Sequence, residues 1–169
     1  MDLGIVGRVA MVMGASRGIG RGIAASLARE GARVAIASRS LENVEKAAAE
    51  IEGDVTPFAA DTDDLERLGE LPTEVARAVG EVEILVANTG GPPGVGALDH
   101  GHEDWLAAYR SLVLAPKTLV EAVAPGMRER GWGRIVNVGS SSTREPIPGL
   151  NLSNAHRAAA VGFFKTLAS

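Results

Sequence analysis

The sequence has 169 residues, a net charge of −4 and 46% hydrophobic residues, so we expect one domain with an ample core and no broad nucleic-acid surface. It contains no cysteine, which excludes a disulfide framework, a thiolate metal site and a cysteine nucleophile, and which fits a reducing cytoplasm. The start of the chain lacks the charged-then-apolar order of a signal peptide, and the longest apolar run is far shorter than a membrane span.

Apolar runs and helical patterns alternate along the whole chain. The apolar runs predict five strands, at residues 9–13, 33–37, 55–60, 82–87 and 133–139, and the spacing of apolar residues predicts helices at about 18–30, 41–51, 65–79, 103–130 and 153–167. Pro116 should kink or break the fourth helix, because proline lacks a backbone donor and clashes with the preceding turn. The alternation predicts a single α/β domain over residues 1–169, with a doubly wound parallel sheet of Rossmann type.

The stretch Gly14-Ala15-Ser16-Arg17-Gly18-Ile19-Gly20 joins the first strand to the first helix. Glycines allow a tight turn and let a pyrophosphate approach the backbone, while the N–H groups at the helix start attract the anion. In this strand–turn–helix context the spacing favours a dinucleotide site over a structural glycine turn. The predicted cofactor-binding residues of this loop are Gly14, Ser16, Arg17, Gly18, Ile19 and Gly20.

Polar residues also follow the later predicted strands. Ser38-Arg39 follows the second strand, Asp61 the third, Asn88–Gly91 the fourth and Ser140 the fifth. Because the carboxyl ends of parallel strands meet at one edge of a sheet, these loops should converge on the glycine stretch. That edge is where open parallel sheets bind their ligands, so we expect the functional site there.

Three of these segments resemble the short-chain dehydrogenase/reductase family, in particular its 3-oxoacyl-carrier-protein-reductase-like members. Gly14–Gly20 is similar to the family's cofactor loop, although Met13 stands where threonine is usual. Asn88-Thr89-Gly90 resembles the family's N-x-A-G turn, which adds Asn88 and Gly90 to the expected cofactor-binding residues. Gly133–Ser140 resembles the strand that ends at the catalytic serine. The resemblance implies hydride transfer between a nicotinamide and the carbonyl or alcohol carbon of a small molecule.

The choice of dinucleotide follows from the residues after the second strand. A carboxylate there would bond a ribose 2′-OH and repel a 2′-phosphate, but this chain has Ser38 followed by Arg39. An arginine fork suits a phosphate, and Arg17 lies in the neighbouring loop. We therefore predict NADP(H) in preference to NAD(H). The resemblance also implies that Asp61 contacts the adenine amino group, with capping of a helix as an equal alternative.

The resemblance departs from the family at the catalytic positions. Counting along the family spacing from Ser140 places Ser153 at the tyrosine position, Arg157 at the lysine position and Ser111 at the asparagine position. Serine is a far weaker acid than tyrosine, and arginine does not release a proton in a protein. Arg157 shares a helix face with Ser153, where its cation is expected to bind the nicotinamide ribose or an anionic ligand. His156 is a further candidate proton donor, with an exposed surface histidine as the alternative.

These features leave three hypotheses for function. The first is an NADP-dependent oxidoreductase in which Ser140 orients the substrate oxygen. The second is a non-catalytic dinucleotide-binding or assembly protein that has lost the Tyr/Lys proton relay. The third is an epimerase or a dehalogenase-like lyase. It is disfavoured because such enzymes resemble the family in keeping the Ser/Tyr pair, which this chain lacks, and because the dehalogenases lack the glycine loop, which this chain has.

The resemblance also carries expectations about the extent of the fold and about partners. Family members continue beyond the position of Ser169 into a further strand and a segment that covers the substrate, so we expect a sheet truncated after the helix that follows the fifth strand. The helices after the fourth and fifth strands carry apolar residues such as Trp105 and Phe163. These helices indicate a homodimer or homotetramer. From the composition and the resemblance we also expect a cytoplasmic protein that acts on a small molecule, with no metal, nucleic acid or membrane partner.

Overall fold

The computed structural model describes residues 2–94 and 96–169, which form one parallel sheet with helices on both faces. The strands are β1 (Val9–Met13), β2 (Arg33–Ser38), β3 (Val55–Ala59), β4 (Ile84–Ala87) and β5 (Arg134–Asn137), in the order β3-β2-β1-β4-β5. The helices are α1 (Gly18–Arg29), α2 (Leu41–Ala49), α3 (Leu65–Ala78), α4 (His102–Tyr109), α5 (Ala115–Glu129) and α6 (Asn151–Leu167). All neighbouring strands of this sheet are parallel, and the predicted Rossmann-type α/β fold is confirmed.

The central strand β1 is buried on both faces of the sheet. Because side chains alternate along a strand, Met11 and Met13 enter one apolar layer, whereas Ala10 and Val12 enter the other. The first layer includes buried residues of α3 and α5, namely Leu68, Leu71, Val75, Leu119 and Val123. The second includes buried residues of α1 and α2, namely Ala24, Ala28, Val44 and Ala47. These two layers fix the strands whose carboxyl ends carry the predicted site.

The position of β1 between β2 and β4 brings three predicted site segments together. The chain runs outward from β1 to β2 and β3, then returns to β4 on the other side of β1. Such a reversal of strand order opens a crevice at the carboxyl ends of the strands. The register aligns Met13 with Ala37, and Val12 with Val86. The glycine loop, Ser38 and Asn88 therefore emerge at neighbouring points of one edge.

The predicted fourth helix is interrupted immediately before its proline. Helix α4 ends at Tyr109, a π turn spans Arg110–Leu114, and α5 begins with Pro116 in its first turn. Leu114 and Ala115 keep right-handed helical dihedrals, and the Ala115 N–H bonds the Arg110 carbonyl, so the chain stays helical up to the proline. Pro116 therefore does not break the helix as one of the two predicted outcomes had it, and the π turn is the irregularity that accompanies it.

Several elements differ by one or two residues at their ends from the sequence prediction. The predicted 82–87 and 133–139 are shortened to Ile84–Ala87 and Arg134–Asn137, and α6 begins at 151 instead of 153. Asn154 bonds both backbone groups of Ile147, with Nδ2 donating to the carbonyl at 2.9 Å, and so fixes the loop before α6. Within residues 2–94 and 96–169, no helix has the length and apolarity needed to cross a membrane.

Candidate cofactor and active site

The glycine loop between β1 and α1 needs its three glycines for two physical reasons. Gly14 and Gly18 both have φ of +59°, a left-handed conformation that costs other residues free energy. Gly20 has an ordinary φ, but a Cβ atom there would lie 2.4 Å from the Gly14 carbonyl oxygen and 2.7 Å from Asn88 Nδ2. The loop therefore folds back onto the start of its own helix, which leaves no room for a side chain.

Asn88, which directly follows the neighbouring strand β4, holds this loop in place. Its Nδ2 donates to the carbonyl oxygens of Met13 at 3.2 Å and of Gly14 at 3.3 Å. Both carbonyls belong to the turn out of β1, and the amide satisfies them without a ligand. The sequence predicted Asn88 as a cofactor-binding residue, and the structure gives its amide the task of positioning the glycine loop. That pairing depends on β4 lying beside β1, which no local sequence signal reveals.

A cleft of about 660 Å³ crosses the carboxyl ends of the strands beside this loop. Ten of the predicted cofactor-binding residues line it: Gly14, Ser16, Arg17, Gly18, Ile19, Ser38, Arg39, Asp61, Asn88 and Gly90. Gly20 is absent from the lining because it supports the loop from behind. Ile19 is 67% exposed on the cleft wall, where a large apolar side chain gains little without a ligand. The cleft wall also includes Ser111, which the π turn carries.

A second cavity of about 500 Å³ opens from the same mouth toward α2 and is strongly basic. It shares Arg17 and Arg39 with the cleft. Among the described residues neither of these arginines has an ion-pair partner, whereas Arg21, deeper in the cavity, pairs with Glu50 at 2.5 Å. Two guanidinium groups without an ion-pair partner among the described residues make this mouth suited to a phosphate, whereas the carboxylates of Asp61, Asp63 and Asp104 also line the 660 Å³ cleft.

Asp61 lines the cleft and does not cap helix α3. Its Oδ1 accepts a hydrogen bond from the Asp63 backbone at 3.1 Å, which shapes the turn after β3. The capping contact belongs to Asp64, whose Oδ1 accepts from the Arg67 N–H at 3.0 Å. The capping alternative for Asp61 is therefore wrong, and its carboxylate remains directed to the site edge of the sheet.

Ser153 and Arg157 form a separate hydrogen-bonded pair beside the end of β5, and Ser140 lies just after that strand. The Arg157 Nε donates to Ser153 Oγ at 3.2 Å, and its Nη1 donates to the Val138 carbonyl at 2.9 Å. Ser140 Oγ accepts from the Ser142 N–H at 3.1 Å, at the start of a 3₁₀ turn over Ser141–Thr143. These three residues are not on the lining of the 660 Å³ cleft. The expected shared helix face of Ser153 and Arg157 is confirmed by their hydrogen bond.

His156 faces away from the Ser153–Arg157 pair. Its side chain is buried, and its Nδ1 lies 2.7 Å from the Leu152 carbonyl, which requires Nδ1 to carry the proton. Its ring packs 5.1 Å from the Trp105 ring and 6.2 Å from the Tyr109 ring, both on α4. The expected proton-donor position beside Ser153 is wrong, as is the exposed-surface alternative. The helical offset between residues 153 and 156 turns the imidazole toward α4.

These features define the class of the domain. A glycine turn at a helix N-terminus, a switch point in a parallel sheet and a cleft across the strand ends that adjoins a basic cavity form a dinucleotide-binding site of Rossmann type. Comparison with known proteins then identifies the family. The family model described as short chain dehydrogenase matches residues 8–169, and the chain belongs to that family. Family membership makes a nicotinamide dinucleotide the expected cofactor class.

Individual relatives agree with this assignment. The chain is 34% identical over 168 residues to dehydrogenase/reductase SDR family member 4 of Pongo abelii and of Homo sapiens, covering 97% of this chain and 60% of theirs. It therefore spans about 60% of the length of these curated relatives. These relatives support the family and leave the 3-oxoacyl-carrier-protein-reductase-like subtype as a prediction.

Solved structures of the same family superpose closely. L-sorbose reductase from Gluconobacter frateurii, complexed with NADPH and L-sorbose, matches with a TM-score of 0.93 at 32% identity, over 99% of this chain and 65% of that one. A metagenomic short-chain oxidoreductase in complex with NADP matches with a TM-score of 0.90 at 31% identity, over 97% of this chain and 76% of that one. The same fold thus carries NADP(H) in two similar structures.

Proposed function

We propose that this protein is an NADP(H)-dependent oxidoreductase that transfers a hydride to or from a small carbonyl or alcohol substrate. The observation that carries the proposal is the glycine loop, which Asn88 holds in place and which lines one cleft with Arg39, an arginine without an ion-pair partner among the described residues. The loop offers backbone N–H groups to a pyrophosphate, and the arginine offers a fork to a further phosphate. The NADPH and NADP complexes of two similar structures support the same cofactor class.

The residues of the cleft fit a dinucleotide in ways that packing alone does not require. Gly90 has neither a positive φ nor any atom within 4 Å of the place where a Cβ would stand. Neither backbone strain nor the protein interior therefore demands glycine there, and close approach of a ligand supplies the missing reason. Ile19 likewise exposes an apolar surface that a flat ring system would cover.

Arg17 and Arg39 are the residues we propose for recognition of the 2′-phosphate. Ser38 is buried and bonds the Ser40 carbonyl at 3.1 Å, so no carboxylate stands at the end of β2 to accept a ribose 2′-OH. A charge-assisted hydrogen bond contributes about 1.5–3 kcal/mol, which corresponds to roughly 10- to 150-fold in affinity. We therefore expect NADPH to bind at least about tenfold more tightly than NADH.

The proposed chemistry adds a hydride and a proton to a carbonyl group, or removes them from an alcohol. When bound, NADPH would supply the hydride to carbon, and Ser153 or water would donate a proton to the oxygen, with solvent returning a proton to Ser153. Ser140 orients that oxygen. Ser153 accepts a hydrogen bond from Arg157, so its own hydroxyl hydrogen is left to donate toward the substrate. Arg157 keeps its proton and acts by positioning Ser153.

A non-catalytic dinucleotide-binding or assembly protein is the second candidate. It is favoured by the hydrogen bonds of these same residues, because Ser140 Oγ already bonds a backbone N–H and Arg157 already bonds the Val138 carbonyl. The double variant Ser153→Tyr with Arg157→Lys separates the two candidates. If reduction of a generic ketone appears only in the double variant, the natural protein is a binder.

Fluorescence titration with NADPH and NADH tests the proposed cofactor. Arg39→Asp should reverse the preference, because it replaces the fork by a carboxylate that repels the phosphate and accepts from a ribose hydroxyl. Arg77→Asp is the matched control, since it makes the same charge change at an exposed position of α3 away from the cleft. If neither dinucleotide binds the unchanged protein, both candidates fail.

We also propose a cytoplasmic homodimer or homotetramer. Support comes from α4, where Trp105, Leu106 and Tyr109 leave between 38% and 49% of their surface exposed along one short helix. Covering such an apolar surface favours self-association. Light scattering after size exclusion tests the oligomer, and a monomer at micromolar concentration contradicts it.

A further inference from the structure

Arg157 is a partly buried cation without a carboxylate partner. Eight ion pairs occur among residues 2–94 and 96–169, and none includes Arg157. Its two hydrogen-bond acceptors, Ser153 Oγ and the Val138 carbonyl, are neutral. Burial lowers the pKa of the Arg157 guanidinium, because the group has lost water without gaining a negative neighbour. A guanidinium nevertheless stays charged at neutral pH, so an uncompensated positive charge remains here.

The guanidinium also keeps donors for a ligand. Of its five N–H groups, the two observed hydrogen bonds use two, and three remain. The two bonds fix the plane of the group, so an arriving anion meets a preorganised fork and little side-chain freedom is lost on binding. A planar fork of this kind matches the two oxygens of a carboxylate.

The group lies next to residues of the cofactor cleft along two chain segments. Val138, which accepts from Arg157, donates its own N–H to the Ala87 carbonyl at 3.0 Å. Ala87 directly precedes Asn88, which lines the cleft, and Ser153 directly follows Leu152, which also lines it. The cation is therefore anchored beside the ends of β4 and β5, through partners whose chain neighbours line the cofactor cleft.

We propose that Arg157 binds the carboxylate of an oxo-acid substrate, so that the Ser153–Arg157 pair selects anionic carbonyl compounds over neutral ones. This inference rests on the proposed oxidoreductase function, since it names the substrate class of that same site. A carboxylate compensates the charge of Arg157, whereas a neutral ribose hydroxyl does not. Hydrogen bonding to the ribose alone does not explain why Arg157 has no negative partner among the described residues.

Calorimetric titration of acetoacetate and methyl acetoacetate tests this inference. The two compounds share the 3-oxo group, but only the acid carries a charge. Saturating NADP⁺, which has no hydride to give, makes the readout binding instead of turnover. We expect the unchanged protein to bind acetoacetate at least tenfold more tightly than its ester, and Arg157→Gln to abolish that preference. Arg77→Gln, on the exposed face of α3, should keep it.

The outcomes separate this inference from the proposed function. Failure of NADP⁺ to bind the unchanged protein refutes the function itself. NADP⁺ binding with equal affinity for acid and ester overturns the inference alone, and this comparison needs no variant. If Arg157→Gln lowers the affinity for NADP⁺ by a larger factor than it lowers the preference for acetoacetate over its ester, the cation serves the ribose. That result also overturns the inference. Competition by inorganic phosphate at equal affinity overturns the choice of carboxylate.

Discussion

Replacing Gly20 by alanine tests the close packing of the glycine loop, and Gly22→Ala provides a matched control. Both glycines lie in α1, so alanine brings each the same kind of gain in helix propensity, roughly 0.5–1 kcal/mol. At position 22 a Cβ meets no atom within 4 Å, so only that gain applies. At position 20 the added carbon would lie 2.4 Å from the Gly14 carbonyl oxygen, inside any normal contact distance.

The size of the effect follows from that overlap. The Gly14 backbone must retreat by several tenths of an ångström, and overpacking of this kind costs about 1–3 kcal/mol. The gain in helix propensity is common to both variants. The difference between their free energies of unfolding therefore measures the cost of the overlap between the new Cβ at position 20 and the Gly14 carbonyl oxygen, about 1–3 kcal/mol. For a chain of this length each kcal/mol shifts Tm by roughly 2–4 °C. Gly22→Ala should therefore melt above the unchanged protein, and Gly20→Ala well below Gly22→Ala.

Thermal melting followed by circular dichroism measures the stability difference, and fluorescence titration with NADPH measures the consequence for the site. Retreat of Gly14 displaces the backbone that should cradle the pyrophosphate, so we expect Gly20→Ala to lose at least tenfold in NADPH affinity and Gly22→Ala to lose none. Equal melting temperatures together with equal NADPH affinities would show that the loop does not pack against α1 as described.

Two further variants test how the site is supported. Asn88→Ala removes both hydrogen bonds to the Met13 and Gly14 carbonyls, so it should lower the free energy of unfolding by about 1–3 kcal/mol and weaken NADPH binding. An unchanged melting temperature and unchanged NADPH affinity would show that Asn88 does not hold the loop in place. Asp64→Ala removes the N-cap of α3 and should lower the free energy of unfolding in urea by about 1 kcal/mol, with NADPH affinity unchanged. The Asp63 side chain makes no hydrogen bond among the described residues, so the control variant Asp63→Ala should lower it much less.

The sequence predicted the parts of the site that depend on local structure. Gly14 and Gly18 occupy left-handed positions in a turn, and a turn needs only its own residues to be recognised. The alternation of strands and helices was equally local, and it led to the observed sheet. Pro116 acts through its own missing N–H, so an irregularity in this helix was also predictable, although the helix continues through a π turn and does not break.

Features that depend on tertiary placement escaped prediction. The Asn88 amide reaches the glycine loop only because β4 lies beside β1, and spacing in the sequence carries no trace of that contact. His156 turned out to pack on Trp105 of α4, which a reading of α6 alone cannot reveal. The hydrogen bond from Arg157 to the Val138 carbonyl likewise joins a helix to a strand end 19 residues earlier.

The two sides of the site attract ligands by different physics. Arg17 and Arg39 have no ion-pair partner among the described residues and line a wide mouth, so they supply long-range attraction for a charged cofactor. Arg157 is held by two hydrogen bonds, so it supplies orientation at a fixed point instead. Under the proposed function, the charges of Arg17 and Arg39 thus attract NADP(H), and the fixed orientation of Arg157 selects the substrate. Under the same proposal, Ser153 and Arg157 decide which carbonyl compounds react, whereas the glycine loop and its neighbouring arginines decide whether the cofactor binds.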